Sequence, residues 1–169
     1  MRKIPIYVSC PTDLNAEQER KREIIVDILN ELQMEPRALG RSDYPFEYPL
    51  KEVYVLAKHC SGGVILGFGQ IYITSGIKKR GVVNKEQAVT NISIPTAWNH
   101  LEAGILFGLK LPILIFKEDT IEGGVFDLGT TDVFVNGMPP DKPSKEKINE
   151  LKDGFLKWHG SVISKYYEY

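Results

Sequence analysis

Two short apolar runs, "GVILGF" at 63–68 and "PILIF" at 112–116, constrain the fold of this chain more than any other feature. Both are too short for a buried helix and too apolar for a strand with one face in water. Strands covered on both faces of a parallel sheet read this way. "KIPIYVSC" at 3–10 has the same character, and "MEPRALG" at 34–40 is a weaker version of it. Amphipathic stretches lie between the runs. From about Asn15, Ile24, Ile25, Ile28, Leu29 and Leu32 recur at spacings of three and four, and Val53, Leu56, Ala57 and Cys60 repeat the pattern. A helix at about 96–109, a fifth strand in "DVFVNG" at 132–137 and a C-terminal helix at about 144–169 complete the series. Strands alternating with helices predict a single α/β domain over 1–169. The expected form is a flavodoxin-like three-layer sandwich with a mostly parallel five-stranded sheet in the order 2-1-3-4-5. Residues 76–94 show no clear apolar period. They are expected to be a long irregular insertion, mobile or lying over a binding crevice.

Composition removes several functions. The 21 Lys and Arg nearly balance the 22 Asp and Glu, which argues against a nucleic-acid-binding face. The basic run Lys78-Lys79-Arg80 reads as a solvated loop. No apolar stretch approaches the roughly 20 residues of a membrane span, so no membrane partner is expected. The first residues lead straight into a strand pattern, without a signal peptide. Cys10, Cys60 and three scattered histidines form neither a disulfide framework nor a metal-ligand cluster. These features together predict a cytoplasmic protein without a metal.

Ligands of open parallel sheets bind beyond the carboxyl ends of the strands, near the point where the strand order reverses. That rule selects residues 9–13, 67–70, the first turns of the helix at 96, and 118–127. In the first segment, Ser9 and Thr12 suit either a phosphate at a helix N-terminus or ordinary capping. The glycines of "GFGQ" (Gly67, Phe68, Gly69) allow backbone amides to approach a phosphate or ribose. A plain turn is the other reading, because the dinucleotide fingerprint needs a third glycine. Asp127 in "EGGVFD" is either a ribose ligand or part of a connection. Tyr44, Phe46 and Tyr48 form either a base-stacking wall or the cover of a core edge. Cys10 has no histidine placed to activate it as a nucleophile.

The most specific segment is "TAWNHLEAG" at 96–104. Thr96 is a good N-cap, and Trp98, Asn99 and Glu102 share one helical face while His100 points elsewhere. Trp98 is expected on the sheet-facing side, where truncation would leave a cavity costing about 3–5 kcal/mol. Glu102 sits among apolar neighbours. It is either a surface acid favoured by the helix dipole or a carboxylate with a task.

The segment resembles the motif of TIR domains, in which a serine lies two residues before a tryptophan and the catalytic glutamate four after it. The following "GILFGLKLPILIF" and the opening "IYVSCPTDLNAEQERKREIIVDIL" resemble the nucleoside 2-deoxyribosyltransferase group, and the similarity spans residues 3–136. The resemblance implies that Glu102 is catalytic and that Trp98 is the motif tryptophan. Thr96 replaces the serine, and Asn99 replaces the usual cysteine. Cys10-Pro11 stands where the transferases carry a Gly-Pro turn. Ser9, Cys10, Pro11, Gly67, Phe68, Gly69, Trp98, Asn99 and Asp127 are the implied substrate-binding set. No counterpart of the transferases' assisting aspartate is evident, and the 76–94 insertion is longer than either group carries.

The implied activity is cleavage of the N-glycosidic bond of NAD, with the nucleotide as substrate and no cofactor. The resemblance also implies a place in anti-phage defence signalling. Nucleoside 2-deoxyribosyl transfer on the same glutamate is one alternative. The other is a non-catalytic module that senses a nucleotide or assembles as a homo-oligomer through the same fold.

Overall fold

The computed structural model describes residues 3–44, 48–131, 133 and 135–168. Strand β1 (Ile4–Ser9) leads to helix α1 (Ala16–Glu31), β2 (Met34–Arg37), α2 (Pro49–Lys58) and β3 (Gly63–Gly67). A hairpin of β4 (Ile71–Lys78) and β5 (Gln87–Ile94) follows, then α3 (Ala97–Gly108), β6 (Ile113–Lys117), β7 (Val135–Gly137) and α4 (Lys145–Tyr166). The five strands β2-β1-β3-β6-β7 form one sheet, and every neighbouring pair is parallel. With the hairpin set aside, this is the expected order 2-1-3-4-5 and the flavodoxin-like three-layer sandwich.

Alternation along each strand divides the core. Ile6, Val8, Val64, Leu66 and Phe116 pack with residues of α1 and α4 on one face, among them Ile25, Leu29, Phe155 and Val162. Tyr7, Ile65, Ile113 and Ile115 pack on the other face with Val53 and Ala57 of α2 and Ala103 and Leu106 of α3. Successive strand residues point to opposite faces, so each run must be apolar throughout. Asn15 closes α1 with a capping box: its side chain accepts from the Gln18 amide, and the Gln18 side chain accepts from the Asn15 amide.

Two expectations require correction. Residues 76–94 are not an irregular insertion: β4 and β5 pair in antiparallel register from Ile71↔Ile94 to Lys78↔Gln87. Both faces of this ribbon are largely exposed, so its sequence lacks the apolar period of a core strand. The ribbon does not join the main sheet. Helix α2 begins at Pro49 rather than near Val53, because proline's fixed φ suits a first helical position. Of "DVFVNG", Val135–Gly137 is strand, while Asp132 and Phe134 lie outside the described residues, as does Phe46. Among the described residues, no helix is long and apolar enough to cross a membrane.

Candidate functional site

Tyr7 and Ser9 are two apart on β1 and therefore face the same way, towards α3. Asn99 and Glu102 are three apart on α3 and share the face turned to the sheet, where both are buried. The two pairs meet. The Tyr7 hydroxyl donates to Glu102 Oε1 at 2.9 Å, and Asn99 Nδ2 donates to Ser9 Oγ at 2.7 Å. Thr96 caps the helix by accepting from the Trp98 amide at 3.3 Å, which fixes where α3 starts and so places both polar residues over β1.

Glu102 is 8% exposed and lines a cleft of about 310 Å³ beyond the carboxyl ends of β1 and β3. Cys10, Pro11 and Thr12 follow β1 along one side, Gln70 follows β3, and Thr96 and Trp98 come from the start of α3. Gly40 completes the wall, with φ +78° and an approach to Thr12 that would leave a Cβ only 2.8 Å from its methyl group. Only a residue without a side chain fits that crossing comfortably.

Burial raises the Glu102 carboxyl above its ordinary value of 4.5, although hydrogen bonding from Ser9 and Tyr7 pulls it back. Burial and then the adjacent Glu102 charge push the Tyr7 phenol far above its usual range, so it remains a donor. Burial also pushes the Cys10 thiol up to about 12, which leaves it protonated and unreactive at neutral pH. A raised carboxyl pKa means that the folded state holds a proton which the unfolded chain releases. The associated stability is full below 4.5 and is lost as pH rises through the folded value. Glu102→Gln is therefore expected to melt above the wild type at neutral pH and to lose that advantage at pH 4. Thermal denaturation of both proteins across this range checks the sign.

The proposed binding residues separate into groups. Glu102, Cys10, Pro11 and Trp98 line the cleft, while Ser9 and Asn99 stand behind it as a buried support. Asn99 Oδ1 is buried without a partner. Gly67 and Phe68 are packing residues. A Cβ at Gly67 would lie 2.5 Å from the Phe126 ring, and Phe68 is fully buried in the core. Gly69 donates its amide to Glu118 Oε2 at 2.8 Å, and its carbonyl accepts from Gln18 Nε2. Asp127 accepts from the Gly123 amide at 2.8 Å within its own loop. Residues 118–127 do not reach the Glu102 cleft. Glu122 and Val125 instead line a separate cleft with His100 and Phe107.

Trp98 departs from its expected place. It is 41% exposed and walls the cleft rather than filling the core. Trp98→Ala is therefore expected to cost about 1 kcal/mol or less of stability, well below the 3–5 kcal/mol of a buried aromatic, while weakening nucleotide binding. Chemical denaturation beside ligand titration separates the two effects.

Tyr7 is the functional group that the sequence reading missed. Its signal was a lone hydroxyl in an otherwise apolar buried strand, where a phenol needs a partner. Among the described residues, no three His, Cys, Asp or Glu side chains are grouped to hold a metal ion. No family model, curated protein or solved structure matches this chain.

Proposed function

We propose that the chain binds a nucleotide, NAD foremost, in the Glu102 cleft and cleaves its N-glycosidic bond. The observation that carries this reading is the Glu102 carboxylate, buried at a cleft whose wall offers a half-exposed indole. The Tyr7 hydroxyl occupies one carboxylate oxygen. The other oxygen is the one offered to the sugar. The indole supplies a flat apolar face for the base.

Cleavage breaks the C1′–N bond. Its electron pair neutralises the pyridinium nitrogen of nicotinamide, and positive charge develops on the ribose. A carboxylate near C1′ stabilises that charge or forms a transient ester. Water then adds at C1′ and releases a proton. Desolvation strengthens this attraction, because charge acts further where water is excluded. Tyr7 and the Asn99–Ser9 pair hold the carboxylate in place without taking part in the bond change. Two free cysteines accord with a cytoplasmic setting.

The deciding experiment incubates purified protein with NAD and, separately, with a deoxynucleoside plus a second base. Nicotinamide release supports the proposal, and base exchange without it favours deoxyribosyl transfer. Binding with neither reaction favours a nucleotide sensor.

A further inference from the structure

The β4–β5 ribbon stands off the body of the molecule. Its strands pair with each other and with none of the five strands of the main sheet. Two-stranded ribbons are marginal in water without further cover. This one is held at its base, where the Ser93 amide donates to the Thr120 carbonyl at 2.8 Å and Ser93 bridges Ile121. Lys78 also pairs with Glu122 at 2.7 Å. The base contacts occupy the outer edge of β5 near Ser93. Among the described residues, the outer edge of β4 has no strand partner.

That edge lacks the usual guards. Natural edge strands carry charges, prolines or bulges that discourage further pairing. Strand β4, "IYITSGIK", has no proline, and its only charge is the final Lys78. Ile71 is 59% exposed, Tyr72 59% and Ile77 54%. The sequence favours a strand, and these side chains find little cover within one chain.

We propose that β4 pairs with β4 of a second copy of this chain, antiparallel, about a two-fold axis through Thr74. This assembly does not depend on the glycosidic-cleavage reading. Such an axis must pass beside a residue opposite itself, because neighbouring strand residues face opposite sides. Centring on Thr74 sets Ile71 opposite the partner's Ile77, and Tyr72 opposite the partner's Gly76. Thr74 meets its own copy. These are favourable combinations: two β-branched groups, an aromatic ring over a glycine, and a threonine pair. Lys78 falls opposite the partner's Gln70, and the two Lys78 backbones lie on the order of 25 Å apart. Centring one residue later would put Lys78 against Tyr72 and leave Ile71 beyond Lys78 of the other strand. The strand is therefore complementary to itself in charge and side-chain size.

The test uses the full chain in sedimentation equilibrium, with wild type, Thr74→Lys, Thr74→Glu and an equimolar mixture of the two variants. Thr74 is exposed, and circular dichroism checks that each variant keeps the wild-type fold. The wild type should show twice the 19.1 kDa chain mass. Each variant places like charges face to face and should raise the dimer dissociation constant about tenfold or more. The mixture pairs opposite charges and should restore association. A monomeric wild type, which would leave β4 to a different partner, overturns the proposal. So do variants that associate like the wild type, or a mixture as weak as either variant alone.

Discussion

Glu102→Gln is expected to lower nicotinamide release from NAD by about a thousandfold while leaving the fold intact. The amide keeps the side chain's size, and its carbonyl can still accept from the Tyr7 hydroxyl. It removes the negative charge that an oxocarbenium-like transition state needs, so ground-state binding should persist as turnover falls. Because burial raises the Glu102 carboxyl above 4.5, the wild-type rate should climb with pH through that raised value as the carboxylate forms. Single-turnover assays across the pH range, beside NAD titration of the variant, measure both quantities. An undiminished rate in the variant would make Glu102 a structural acid and end the proposed mechanism.

The second large effect belongs to the opposite side of the sheet. Phe155 on α4 is fully buried, with its ring 5.6 Å from that of Phe116 on β6 and 6.1 Å from that of Trp158. Phe155→Ala should cost about 3–5 kcal/mol, from lost transfer energy and the cavity left behind. For a domain of this size, that is a fall in Tm of about 10 °C. The substitution is remote from Glu102, so NAD chemistry measured well below the new Tm should be unchanged. A small shift in Tm would show that α4 contributes little to holding the sheet.

Local chemistry was sufficient to read the main fold. "GVILGF" and "PILIF" are apolar without interruption because β3 and β6 are covered on both faces, and the period of α1 is set by one buried stripe. Glu102 and Trp98 were also legible, since their spacing on a helix follows from its pitch. The hairpin at 71–94 escaped recognition because neither strand faces a core, so neither carries the alternation that core burial imposes. Sequence spacing likewise gave no way to separate Gly67 and Phe68, turned into packed interiors, from Gln70, which reaches the cleft. The pairing of Tyr7 with Glu102 joins residues 95 positions apart. Only the docking of α3 over β1 brings them together. The sequence by itself determined the layers, the strand order and the carboxylate beyond the strands. Tertiary structure decided its partners, its raised pKa and which aromatic walls the cleft, because these depend on distances between elements that local periodicity does not encode.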